Sequence, residues 1–115
     1  MTFLYAEGAP RPTLNENSLV VRLDLGDTRI LLMGDSEAGG RNSPTVSPSA
    51  TSIEGILLNC CQQALAAEIL IAAHHGSRTS SRQAFLNAVQ ASTYVISSGP
   101  TKYQKVVLPD ADIVA

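Results

Sequence analysis

The chain is poor in charge, in cysteine and in histidine, and each shortage removes a class of function. Lys, Arg, Asp and Glu together make up 16% of 115 residues and leave a formal net charge of -2. No basic surface announces nucleic acid or an anionic membrane through composition alone, so any such partner has to be argued from a site. No apolar run reaches the roughly 18 residues expected of a membrane span. The opening stretch from Met1 to Glu7 lacks the charged region and apolar region of a secretion signal, so the segment reads as soluble, with the compartment left open. Cysteine occurs only at Cys60 and Cys61. A bridge between adjacent cysteines is strained, which argues against a disulfide framework and for a reduced, buried pair.

What is present fits one small domain with a modest core: 44% of the residues are apolar. Ser18 to Leu25 alternates Leu19, Val21, Leu23 and Leu25 against Ser18, Val20, Arg22 and Asp24, the period of a strand with one face covered. Gly26-Asp27 turns the chain into a second apolar run, Thr28 to Met33, and the two are expected to pair antiparallel. Residues 36 to 52 hold Gly39, Gly40, Pro44 and Pro48 among serines and threonines, and read as an exposed loop beginning directly after Asp35. A loop of that length is either a mobile flap over a site or a tolerated insertion.

Thr51-Ser52-Ile53-Glu54 has the form of a capping box, with Thr51 taking a backbone N–H and Glu54 reaching back. The apolar spacing of Ile53, Ile56, Leu57, Cys60, Ala64 and Leu65 then predicts a helix from about Ser52 to Leu65 with the cysteines on or beside its packed face. Glu68 to Ala73 is a continuous apolar run, as in a strand covered on both sides. A second capping box at Ser80 to Gln83 opens a helix to about Gln90. Thr93 to Ser97 is a further strand, stopped by Gly99-Pro100, and Leu108-Pro109-Asp110 begins a helix with Pro109 in its first turn. Both ends read as cut rather than finished. The order of elements predicts an α/β arrangement with helices on one face of a sheet.

Two polar clusters fall where apolar strands end, the usual place for ligands in layered α/β proteins. They are Gly34-Asp35-Ser36-Glu37 and His74-His75-Gly76-Ser77. Carboxylate and imidazole suit zinc or a similar divalent ion, and together the clusters suggest half of a metal site. Each alone has a plainer reading: Asp35 as a turn or cap, the histidines as a hydrogen-bonded pair. A phosphate-binding loop over Gly34 to Arg41 fails, because Gly40 stands at the lysine position and Arg41 at the hydroxyl position. Ser77 as a nucleophile activated by His75 is weak, since no nucleophile elbow surrounds it.

The blocks Asn15 to Leu23, Leu31-Leu32-Met33-Gly34-Asp35, Ala73 to Ser81 (AHHGSRTSS) and Val95 to Gly99, in that order, resemble the C-terminal part of the metallo-β-lactamase-fold domain of ComEC-type competence proteins and their stand-alone relatives. The resemblance spans about Leu14 to Pro109. It implies the C-terminal half of a four-layer αββα sandwich, one mixed or antiparallel sheet with helices on one face, across residues 1 to 115. It implies that Asp35 bridges two ions, Zn2+ or Mn2+, and that His74 binds the second, with His75 either hydrogen-bonding a substrate or orienting the site, or simply a buried histidine behind it; Asp35 and His74, even with Glu37 assisting, fall short of a closed four-coordinate site. Two such ions roughly 3.5 to 4 Å apart suit hydrolysis of phosphodiesters or nucleic acid, with β-lactams a weaker option.

The departure from that family is large. The fold's principal His-x-His-x-Asp-His ligand run is absent, and this chain has two histidines in all. The chain alone is therefore expected to be inactive or to depend on a segment it does not contain, and the alternative to a hydrolase is a catalytically incomplete structural or binding module. Its expected partner is the N-terminal half of such a domain or a second copy, joined through an exposed sheet edge and an uncovered sheet face.

Overall fold

The computed structural model describes residues 1–6, 15–98, 102–103 and 106–114. Strand β1 (Thr2–Tyr5) pairs antiparallel with β2 (Val20–Leu25), and β2 pairs antiparallel with β3 (Thr28–Leu32) across the turn at Gly26-Asp27. Helix α1 (Ile53–Cys61) carries the chain back to β4 (Ile69–Ile71), and α2 (Gln83–Val89) carries it to β5 (Thr93–Val95). These helical crossovers make β3, β4 and β5 parallel, giving a mixed sheet in the order β1-β2-β3-β4-β5. A two-stranded hairpin of β6 (Lys102–Tyr103) and β7 (Val106–Val107) and a short helix α3 (Ala111–Val114) follow. The chain is thus α/β, with the expected β2–β3 hairpin, the helices α1 and α2, the strands β4 and β5 and a final short helix in place, and with β1, β6 and β7 added. The stop expected at Gly99-Pro100 lies outside the described residues.

The strand register sorts the side chains into two faces. Arg22, Leu31, Leu70 and Tyr94 align across one face, and Phe3, Val21, Leu32, Ile71 and Val95 across the other. Helices cover the first. Val20, Leu31 and Leu70 are buried there against Ile53 and Leu57 of α1, Leu65, and Phe85 and Val89 of α2. On the second face Phe3, Leu25, Leu32 and Val95 stay exposed. The alternation expected of β2 is present, but its covered side is the opposite one: Val20 is fully buried while Leu19 and Leu25 are 53% and 57% exposed. The reason is that β3 and β4 are apolar on both sides, so the crossover helices decide which face is packed.

The helix ends also differ from expectation. The cap of α1 is Ser52, whose hydroxyl accepts the Gly55 N–H at 3.1 Å. Glu54 does not reach back to close a capping box. It is buried, and its two carboxyl oxygens accept the backbone N–H groups of Ser81 and Arg82 in front of α2. Arg82, the residue at the N-cap of α2, makes no side-chain cap. One carboxylate from α1 therefore does for α2 what the second capping box was expected to do. Helix α1 ends at Cys61, and Gln62–Leu65 tightens into a 3-10 turn. Cys60 and Cys61 are joined by a disulfide, with Cys60 exposed, so the reduced, buried pair is not what forms. Pro109 precedes α3 rather than lying in its first turn, because the helix begins at Ala111.

The segment 36–52 has no regular structure, as expected, yet it is strapped down. Ala38 donates to the Thr79 carbonyl at 2.7 Å, Ser49 to Ala38 at 2.8 Å, and the Gln83 N–H to Pro44 at 2.8 Å. The buried Arg82 guanidinium donates to the carbonyls of Gly40 at 2.6 Å and Val46 at 3.3 Å. Gly55 permits this docking, since a Cβ there would land on the Ser49 carbonyl oxygen. Those bonds tie the segment to α2 and to the turn after β4.

Candidate functional site

Because β3, β4 and β5 run parallel, their C-terminal ends meet at one edge of the sheet. Asp35 follows β3, His74 and His75 follow β4, and Ser97 follows β5. A bond from the His74 N–H to the Gly34 carbonyl at 2.9 Å fastens the first two ends together. His74 and His75 both take left-handed backbone conformations, at φ 49° and 56°. For residues with a Cβ this costs on the order of 1–3 kcal/mol each, and such strain gathers at functional sites. Gly76 completes the turn at φ +78°, where a Cβ would meet Pro109 Cβ at 2.6 Å.

The structure divides the expected site residues into two pairs. Asp35 Oδ1 lies 3.5 Å from His75 Nε2. His75 Nδ1 lies 2.7 Å from the Ser97 carbonyl oxygen, which can only accept, so Nδ1–H donates to it and Nε2 is the nitrogen turned toward Asp35. Glu37 forms the second pair, with Oε2 3.9 Å from His74 Nδ1 and Oε1 accepting the Asn15 amide at 2.8 Å. The two imidazole centroids are 6.3 Å apart. The resemblance gives His74 the metal; the ring nearer to Asp35 is that of His75.

Beneath His74 runs a chain of hydroxyls that pattern reading did not single out. His74 Nδ1 is 2.9 Å from Thr79 Oγ1, and the Thr79 hydroxyl donates to Ser77 Oγ at 3.0 Å. Thr79 must therefore accept from His74 Nδ1–H, which leaves the His74 lone pair on Nε2, the form a metal ligand takes. Ser77 is buried and also accepts from the Thr79 N–H at 3.2 Å and Arg41 Nη1 at 3.4 Å. That is the environment of a structural hydroxyl, not of an activated nucleophile. Arg41 pairs with Asp110 at 2.6 Å, and Asp110 accepts the Arg78 N–H at 2.7 Å. Burial pushes Asp110 upward, but the hydrogen bonds from Arg41 and Arg78 outweigh it and hold the carboxyl below its ordinary value. The signal for this support was the hydroxyl-rich run Ser77 to Ser81, which composition alone marks only as a turn.

A zinc ion with one nitrogen and one oxygen ligand sets those atoms roughly 3.4 Å apart in tetrahedral geometry, at bond lengths of about 2.0–2.2 Å. The Asp35–His75 spacing fits such sharing. Among the described residues, however, no group of three or more His, Cys, Asp and Glu side chains could hold an ion. No helix among the described residues is long and apolar enough to cross a membrane. No protein-family model, curated protein or solved structure matches the chain.

Proposed function

We propose that this chain is one half of a metal-dependent hydrolase site, the half that supplies Asp35 and the His74-His75 pair, and that its substrates are phosphodiesters or nucleic acid. The observation carrying this reading is the Asp35 Oδ1 to His75 Nε2 separation of 3.5 Å at the ends of adjacent parallel strands. The ComEC-type resemblance supplies the reaction class. In the complete domain, two ions such as Zn2+ or Mn2+ would furnish a bound hydroxide. This chain's own contribution is to place a carboxylate and two oriented imidazoles. The carbonyl of Ser97 fixes the tautomer of His75, and Thr79 fixes that of His74. Such support typically changes metal affinity or activity 10- to 100-fold.

The test is an extended protein in which a His-x-His-x-Asp-His segment precedes this chain. It is expected to bind about two zinc or manganese ions and to hydrolyse a bis-aryl phosphodiester. Asp35→Ala, His74→Ala and His75→Ala should each remove most of that activity while leaving the thermal midpoint nearly unchanged. Metal content that never rises above trace, or full activity in Asp35→Ala, would sink the reading. His74→Ala against His75→Ala decides which ring is the ligand: the ligand variant loses bound metal, and the other loses rate at retained metal.

A second reading, a catalytically incomplete module that works by association, is favoured by the bare sheet face. Phe3, Leu25, Leu32 and Val95 are each at least 38% exposed on that face. An N-terminal half-domain or a second copy laid sheet to sheet would bury them at the usual spacing of about 10 Å. Light scattering on the purified chain separates the outcomes. A monomer at high micromolar concentration argues against self-association.

A further inference from the structure

We propose that Cys60 and Cys61 form a reversible thiol–disulfide site that exchanges with peptidic thiols. The pair closes a bond between neighbouring residues, Cα–Cα 3.8 Å, at the junction where α1 gives way to the 3-10 turn Gln62–Leu65. The backbone leaves helical values there, at φ -141° and ψ 28° for Cys61. Cys60 is exposed and Cys61 is half-buried, so the Cys60 sulfur is the one an incoming thiol reaches. Both line an open groove of about 820 Å³ whose polar walls are the amides of Asn59, Gln62, Gln63, Asn87 and Gln90, with no ionisable side chain. An amide side chain both donates and accepts, which matches a peptide backbone rather than a charged ligand. The groove has no part in the strand-end cluster and its chemistry stands apart from it.

Exchange balances without any group from the protein beyond the two sulfurs. An incoming thiolate attacks Cys60 Sγ, the Cys60–Cys61 bond breaks, and Cys61 leaves as a thiolate that takes a proton from water. A second peptidic thiolate then attacks the incoming sulfur and releases Cys60. Two thiols are oxidised to one disulfide, and the protein pair is reduced by two electrons and two protons. Because the sequence contains no third cysteine, a mixed disulfide on Cys60 is resolved within the chain only by Cys61, which restores the starting bond.

The intact chain is treated with reduced glutathione and read by intact-mass spectrometry, with phenylarsine oxide reporting the paired thiols. The wild-type protein is expected to gain two hydrogens, to bind the arsenical only when reduced, and to recover its bond with oxidised glutathione. With oxidised glutathione, Cys61→Ser is expected to accumulate a mixed disulfide with glutathione on Cys60, releasing one reduced glutathione, at least tenfold faster than Cys60→Ser accumulates one on Cys61. It is also expected to form that adduct faster with oxidised glutathione than with bis(2-hydroxyethyl) disulfide at equal disulfide concentration. Two free thiols that persist in excess oxidised glutathione would overturn the proposal, as would equal adduct rates for the two variants. Equal rates for the two disulfides would overturn recognition of the peptide.

Discussion

The two faces of the sheet use the same residue types for opposite ends. On one, Leu31 and Leu70 vanish beneath α1 and α2; on the other, Leu25 and Leu32 remain 57% and 38% exposed. Leucine content and alternation are alike on both, so residue type did not choose between them. What differs is the pair of crossover helices, which can pack on only one side. The covered side therefore holds the packed core of the chain, and the bare side leaves its apolar residues exposed.

The largest effect expected from breaking this contrast is on the covered face. Leu31→Ala or Leu70→Ala should cost about 2–5 kcal/mol in urea denaturation, because each leaves a cavity in a closed core. A loss below about 1 kcal/mol in both would show that the helices do not pack as described.

Next comes the polar bracket on the covered side. Burial pushes the Glu54 carboxyl up from 4.5 to about 7, against the hydrogen bonds from the Ser81 and Arg82 N–H groups and the nearby Arg82 charge. Folded Glu54 keeps its proton up to about pH 7, whereas the unfolded chain loses it near 4.5. Its contribution is therefore fully present below pH 4.5 and is lost as pH rises through 7, on the order of 3 kcal/mol at most. Denaturation midpoints from pH 4.5 to 8 should fall in the wild-type protein and flatten in Glu54→Gln. An equal slope in both would remove Glu54 as the cause. Arg82→Met should cost about 1–2 kcal/mol by removing its bonds to the Gly40 and Val46 carbonyls, which belong to exposed residues that water reaches. Hydrogen exchange at Ala38 and Ser49 should rise with it, since those amides report the strapped segment.

The smallest change in stability is expected on the bare face. Leu25→Thr and Phe3→Ser should alter the monomer by less than about 1 kcal/mol. If that face associates, they should lower the apparent mass by light scattering; a strongly destabilised monomer would mean the face is not bare.

Much of this architecture was readable in advance because its signals are local. The continuous run Glu68 to Ala73 gave β4, the periodic apolar residues from Ile53 gave α1, and Gly26-Asp27 gave the β2–β3 turn. The strand β1 was not read, since Thr2 to Tyr5 is too short to show a period and gains its structure by pairing with β2. The capping boxes misled for a related reason. Ser, Thr and Glu at those spacings are necessary for the motif, but Glu54 meets two N–H groups in front of another helix, and a buried carboxyl group goes where donors are.

By itself the sequence determined the composition of the site: Asp35 and His74-His75 each follow an apolar strand, with glycines beside them. Only the tertiary structure decided that His75, not His74, stands 3.5 Å from Asp35, that Thr79 holds His74, and that Glu54 serves α2. Strand ends are encoded by short-range patterns, whereas pairings across them depend on register, crossover and backbone strain, which are set by residues far apart in the chain.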